Sequence, residues 1–294
     1  MSKIKTILEL SRPANVITAV ADIVAGMALV GFEFGFKDYQ LKAIGTIGIS
    51  SMLLYAGGII LNDVFDRKID AIERPERAIP SNRIQVWEAS ILAVLFFLLA
   101  IALSFTLSII TGIFAVFLVV SIFSYDYLFK KYAILGPISM GICRGLNLVL
   151  GMSIYELELL EYGHLALIPI FYIFAITLIS RGEVKGGNRS SLFVAWGIFL
   201  FVHLAQLEYG KSMGHLGIVG PFIFVHALWL YSNLYKAIRN PQPNLIRKTV
   251  KTGVITLILM NASWVASTGD LMMAVITAAL LPISLYLAKY FAVT

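Results

Sequence analysis

An all-α membrane bundle of nine or ten transmembrane helices is the fold class this sequence predicts, and three observations predict it. Apolar residues make up 59% of the 294 and charged residues only 14%, with a mean hydropathy of +0.86, far from the balance of a soluble domain. Apolar runs of roughly 17–22 residues, about what a helix needs to cross a hydrocarbon core near 30 Å thick, recur along the whole chain. Lysine and arginine collect in alternate connections between those runs, as the positive-inside rule demands of a multi-pass protein.

The runs fall at Ala14–Val30, Leu41–Leu61, Trp87–Leu107, Ile109–Tyr127, Ala133–Ile154, His164–Ile179, Leu192–Leu207, Leu216–Leu234, Thr252–Ser267 and Leu271–Phe291. The last is the reason for "nine or ten", because Ser267-Thr268-Gly269-Asp270 reads either as a tight turn between two helices or as an interruption within a re-entrant pair. Ahead of the first run, Met1–Leu10 alternates lysines with apolar residues and carries no small-residue cleavage site, which argues against a removed signal peptide. Connections are short except for Asp63–Val86, Arg181–Ser191 and Lys236–Lys251, and no linker or low-complexity tract intervenes, so residues 1–294 read as one membrane domain.

The N-terminus and the loops after the second, fourth, sixth and eighth runs hold 18 of the 23 lysines and arginines; the opposite loops hold Lys37, Lys42 and Lys211. The N-terminus is therefore expected in the cytoplasm. A net charge of +6 distributed this way reports orientation and gives no support to nucleic-acid binding. Cys143 is the single cysteine, which excludes an internal disulfide and a thiolate metal cluster. His203 and His226 lie in apolar runs without acids at ligand spacing and read as hydrogen-bonded packing residues. Trp229 and Tyr231 fit an interfacial aromatic belt, and Gly57, Gly58, Gly217 and Gly220 fit close helix contacts.

Chemistry concentrates at the end of the second run, in Asn62-Asp63-Val64-Phe65-Asp66-Arg67-Lys68-Ile69-Asp70. Asp63, Asp66 and Asp70 stand at i, i+3 and i+7, so a continuing helix presents all three on one face. Their mutual repulsion calls for a cation, and Mg²⁺ suits the pattern, since it takes one or two carboxylates and completes its shell with water and phosphate oxygens. Charge at mid-bilayer costs at least about 2.5–3.5 kcal/mol, so a helix end facing a polar mouth is the cheaper place for such acids. Arg74, Arg77 and Arg83 follow, interleaved with Pro75 and Pro80, which stiffen the loop; guanidinium groups match phosphate bidentately. Carboxylate, metal and arginine together describe a diphosphate site.

That run, N-D-x-x-D-x-x-x-D followed by R-P-x-R-x-I-P-S, resembles the first signature of the UbiA superfamily of membrane prenyltransferases. Arg12-Pro13-Ala14-Asn15 resembles the family's opening helix, and Tyr125 with Lys130 and Lys131 its third basic element. The resemblance implies a helical bundle around a central cavity, in which a prenyl group moves from an isoprenyl diphosphate to an aromatic or other lipophilic acceptor with Mg²⁺ assistance. It further implies that Asp63 and Asp66 hold a metal ion with Asn62 and Asp70 nearby, and that Arg74, Arg77, Lys130 and Lys131 hold phosphate.

Two departures stand out. Where the family has a second aspartate-rich run, this sequence reads Ile179-Ser180-Arg181-Gly182-Glu183-Val184-Lys185-Gly186-Gly187-Asn188-Arg189. One carboxylate, Glu183, stands among Arg181, Lys185 and Arg189, so this loop either clamps phosphate directly or marks loss of the usual reaction. In the fifth run Arg144, Asn147 and Gly151 form a polar stripe, and in the first Asn15, Thr18 and Asp22 do the same. Intramembrane ionisable residues are functional candidates, so Asn15, Arg144 and Asn147 join the substrate-binding set with Arg181; the other reading pairs Asp22 with Arg144 structurally. The segments RPANVITAVAD, CRGLNLVLGMS and ISRGEVKGG resemble a UbiA-like branch called EboC, encoded with biosynthetic or export clusters in bacteria, which implies a bacterial inner membrane. The rival to a prenyltransferase is a non-catalytic protein that binds or transports a prenyl lipid or precursor and retains only the first acidic motif.

Overall fold

The computed structural model describes residues 3–184 and 186–291, and every regular element among them is helical; Lys185 lies outside the described residues. Helix α1 (Lys3–Ser11) meets α2 (Pro13–Leu29) at a 50° bend. Pro13 suits the first position of a helix, where its missing N–H is not needed. Arg12, at the break, adopts φ 44° and ψ 68°, a left-handed conformation that costs a non-glycine residue about 1–3 kcal/mol and persists where its surroundings hold it.

Helix α3 (Asp38–Glu73) runs 36 residues, well past the expected end at Leu61, and therefore carries all three aspartates on continuous helix. It stops at Arg74 because Pro75 disfavours the helical conformation in the residue before it. Helices α4 (Val86–Phe105) and α5 (Ile109–Ser124) follow, and α5 continues into a π-helical turn, Tyr125–Phe129. Next come α6 (Leu135–Met152), then α7 (Glu156–Tyr162) joined to α8 (Leu167–Ser180) by a 3₁₀ turn, α9 (Arg189–Ser212), α10 (Leu216–Arg239) and α11 (Pro243–Ser267).

Among the described residues eight helices are long and apolar enough to cross a membrane, or nine when the bent α1–α2 pair is one span. The expected tenth run forms two short helices, α12 (Leu271–Ala278) and α13 (Leu280–Leu287). Residues 267–270 make a turn: Gly269 takes φ 91° and Asp270 caps α12 by accepting the Met273 amide at 2.8 Å. The pair then runs back along α11 to α2, where the Ser284 hydroxyl donates to the Ala14 carbonyl at 2.8 Å.

The spanning window of α11 is 89% buried and that of α6 72%, against 22% for α4 and 28% for α10, so α6 and α11 form the centre and α4 and α10 face lipid. Small residues permit close packing where lipid supplies no hydrophobic drive. A methyl at Gly26 of α2 would sit 2.2 Å from the Leu148 carbonyl oxygen, and one at Gly151 of α6 2.6 Å from that of Ile23. Gly57 likewise lies against Phe97 and Gly58 against Ile122, but Gly217 and Gly220 meet nothing within 4 Å, because α10 is turned outward there.

His203 and His226 are hydrogen-bonded, as expected, in a chain of four side chains. Tyr231 Oη lies 3.1 Å from His203 Nδ1, His203 Nε2 3.1 Å from His226 Nδ1, and His226 Nε2 3.0 Å from Tyr172 Oη. Tyr172 donates to the Gly253 carbonyl at 2.9 Å. One set of neutral tautomers satisfies every link, and it draws the Tyr231 hydroxyl into the bundle and away from the interfacial belt.

Candidate active site

The last turns of α3 bring Asp63 and Asp70 inward, at 7% and 4% exposure, and leave Asp66 half-buried. Each meets a cation from another segment. Arg12 Nη2 is 2.6 Å from Asp63 Oδ1. Arg77 Nη1 is 3.2 Å from the same oxygen and 2.7 Å from Asp70 Oδ2. Lys130 Nζ, just past the π-turn, is 2.5 Å from Asp66 Oδ1. Asn62 donates to Asp126 Oδ1 at 2.6 Å.

The opposite rim comes from residues 181–188. Gly182 and Gly187 fold this loop tightly, since a methyl on Gly182 would lie 2.6 Å from the Gly187 Cα, and the Gly187 amide donates to the Pro241 carbonyl at 3.0 Å. Glu183, 6% exposed, is held by Arg74 Nη2 at 3.4 Å, and its carbonyl accepts from Arg247 Nε at 3.1 Å. Burial pushes the Glu183 carboxyl above its ordinary value, against the pull of Arg74, Arg247, Arg12 and Arg77. Arg83 is drawn away, pairing with Glu9 and donating to the Glu76 carbonyl at 2.6 Å.

The donor chemistry fits Mg²⁺: Asp63 and Asp66 offer carboxylate oxygens one turn apart beside the Asn62 amide. Among the described residues no three His, Cys, Asp or Glu side chains converge on one point, so these residues offer a carboxylate pair and no closed cage. Mg²⁺ accepts that arrangement because it retains water and phosphate ligands.

Other candidates sit elsewhere. Tyr125 opens the π-turn, and its carbonyl accepts from the Lys130 amide at 3.0 Å. Lys131 is exposed, over the Tyr132 ring, and Arg181 reaches its carbonyl at 3.4 Å. Asn15 is buried on α2. Arg144 and Asn147 belong to a second, deeper network about 12 Å along α3, counted from Asp63 to Tyr55. There Arg144 Nε is 2.6 Å from Asp22 Oδ2, Asn147 donates to Asp22 at 2.9 Å and Asn261 at 2.6 Å, and the Tyr55 ring lies 5.5 Å from the guanidinium. The intramembrane acid and base neutralise one another.

Three residues at the site escaped the sequence reading of roles. Arg12 carried a signal in its motif and its proline, and Asp126 in being an acid beside Tyr125; Arg247 carried none, since only the fold brings α11 under the second loop.

Residues 20–243 match the model of the UbiA prenyltransferase family. The chain belongs to this family. The digeranylgeranylglyceryl phosphate synthase of Sulfurisphaera tokodaii is 33% identical over 184 residues, 62% of this UbiA chain and 63% of that protein, so the match spans under two thirds of that relative. The synthase of the same name from Methanococcus aeolicus is 29% identical over 281 residues, covering 90% and 97%. A solved structure concerned with digeranylgeranylglyceryl phosphate synthase in membranes superposes with a TM-score of 0.67 at 21% identity, covering 91% of this chain and 99% of that one. A UbiA homologue from Archaeoglobus fulgidus, bound to GPP and Mg²⁺, gives 0.65 at 15% identity over 91% and 99%. Those likenesses show that this chain has the UbiA fold, an integral multi-pass membrane bundle.

Proposed function

We propose that this protein transfers a prenyl group from an isoprenyl diphosphate to a lipophilic acceptor, with Mg²⁺, at the cytoplasmic mouth of the bundle. The observation that carries this reading is the interleaving of α3 carboxylates with guanidinium and ammonium groups from three other segments. Such an array is balanced without substrate, and each of its cations can turn to a phosphate oxygen when carboxylates take up an ion. Asp63 and Asp66, with Asn62 and Asp70 beside them, would hold Mg²⁺, which supplies charge neutralisation to a diphosphate leaving group.

Arg12, Arg74, Arg77 and Lys130 bind and orient that diphosphate, with Lys131 and Arg181 at the rim. Glu183 sets the position of Arg74 from the second loop. Asn15 serves as a polar contact for substrate on the route inward, and Arg144 and Asn147, already held by Asp22, tie α2 to α6 beside it. Apolar helix faces shield the allylic centre from water and take the prenyl tail, worth about 0.8 kcal/mol per buried CH₂. The names of the archaeal relatives support a prenylated glyceryl phosphate type of acceptor over an aromatic one. Residues 1–294 form one domain in a bacterial inner membrane, as the EboC resemblance implies, with its N-terminus cytoplasmic, as the distribution of lysine and arginine supports.

The second loop, with one acid already tied to Arg74, favours one alternative: a carrier that binds the diphosphate without transfer. Purified protein in lipid nanodiscs, given Mg²⁺, labelled geranylgeranyl diphosphate and a panel of glyceryl phosphate and aromatic acceptors, separates the two. Pyrophosphate release with a labelled lipid product supports the transferase; saturable binding without release supports the carrier.

A further inference from the structure

Asp126 is a carboxylate with 4% exposure in an apolar span, and the prenyl-transfer machinery above gives it no task. It sits in the π-turn closed by the Lys130 amide on the Tyr125 carbonyl, a local widening that occurs mostly at functional positions. Its partners among the described residues, Asn62 and Lys130, both belong to the diphosphate site. Asn62 Nδ2 donates to Asp126 Oδ1 at 2.6 Å, and Lys130 Nζ lies 3.9 Å from that same oxygen while resting 2.5 Å from Asp66.

Each contact constrains its partner. The Asp126 Oδ1 accepts from the amide nitrogen of Asn62, so the Asn62 oxygen, the end a hard cation can use, faces away from it and is kept for a ligand. Lys130 stands between two acids. When Asp66 turns to an ion, the ammonium loses its nearest partner, and Asp126 at i, i+4 keeps it beside the site when it would otherwise swing to bulk water. Carboxylates that orient metal ligands from behind act in this way, and their loss weakens metal binding about 10–100-fold.

We propose that Asp126 is a positioning residue that fixes the Asn62 amide and the Lys130 ammonium for binding of a metal–diphosphate pair. The proposal rests on the prenyl-transfer reading, and one titration separates the two. The full chain in nanodiscs is given Mn²⁺ in place of Mg²⁺ together with geranylgeranyl thiolodiphosphate, which does not turn over, and free Mn²⁺ is read by electron paramagnetic resonance. Wild type binds Mn²⁺ only when the diphosphate is present; absence of that binding overturns the prenyl-transfer reading itself and the proposal with it. Given wild-type binding, Asp126→Ala weakens Mn²⁺ affinity about 10–100-fold. Asp126→Asn, whose amide oxygen still accepts from Asn62 but which carries no charge to hold Lys130, loses less, about threefold to tenfold. Unchanged affinity in Asp126→Ala overturns the positioning role alone. Should the alanine variant fail to fold, Asp126→Asn decides: that intermediate loss upholds the role, unchanged affinity overturns it, and a loss as complete as in Asp63→Asn overturns it by making Asp126 a direct ligand.

Discussion

One guanidinium nitrogen of Arg77 clamps Asp63 and Asp70 together, 3.2 Å from a carboxylate oxygen of the first and 2.7 Å from one of the second. Two acids seven residues apart on one helix face are thereby held inward, and Arg12 closes on Asp63 from the break between α1 and α2. Removing an acid takes away an ion ligand; removing the arginine leaves two carboxylates repelling and a phosphate without its clamp. Asp63→Ala and Asp66→Ala are each expected to lower Mg²⁺-dependent pyrophosphate release at least about 100-fold while the protein still inserts in the membrane. Arg77→Ala is expected to raise the diphosphate concentration needed for half-saturation about tenfold or more, with Arg77→Lys recovering only part because an ammonium cannot span two oxygens as a planar fork does. Full activity in both aspartate variants would sink the assignment of the α3 acids.

Within the bilayer the Asp22–Arg144 pair is buried on both sides, at 0% and 4% exposure, with Thr18, Asn147 and Asn261 completing the hydrogen bonds. A buried pair is costly to break by halves, because the survivor is left charged: about 3–5 kcal/mol, whereas replacing both partners with apolar residues is often close to neutral. Arg144→Met should therefore melt well below wild type in detergent, and Asp22→Leu with Arg144→Met should melt above the single variant. If the double variant is instead the less stable, the two residues are not a structural pair.

The chain from Tyr231 through His203 and His226 to Tyr172 ties α8, α9, α10 and α11 together. His226→Phe keeps the ring volume and breaks two links at once. It should leave Tyr172 and His203 each short of a buried partner, about 1–3 kcal/mol per group. Thermal unfolding followed by size-exclusion of the heated protein measures it. No change in the melting midpoint would show that water replaces the imidazole without loss.

The all-helical membrane bundle and the acid face of α3 were legible because they depend on local periodicity and composition: a run of apolar residues reads the same wherever it packs. Asp63, Asp66 and Asp70 share a face for the same reason. What pairs with them across the bundle was not legible, since Arg12 and Lys130 lie 51 or more positions away from Asp63 and only the bundle's topology selects among many basic residues. The last segment stayed open because hydropathy reports burial in lipid or protein without saying where a helix breaks, and this one breaks at Ala279. Gly217 and Gly220 misled because a small residue allows close contact but does not create it.

Glu183 offers a test in pH. Its carboxyl is buried, and burial holds its proton more tightly than the value of 4.5 it would have in the unfolded chain, although Arg74, Arg247, Arg12 and Arg77 oppose that. The folded state therefore binds the proton more strongly than the unfolded state does, and stability from this group is complete below the unfolded value. It is lost as pH rises through the folded one, where ionised Glu183 must be accommodated away from water. Glu183→Gln, neutral at every pH, removes that loss. The variant should match wild type near pH 4 and exceed it in melting temperature near pH 8, in protein held in a detergent whose own properties do not change over that range. A variant that is less stable than wild type near pH 8 would mean that Arg74 and Arg247 outweigh burial, and that the second loop is held by an ionised Glu183.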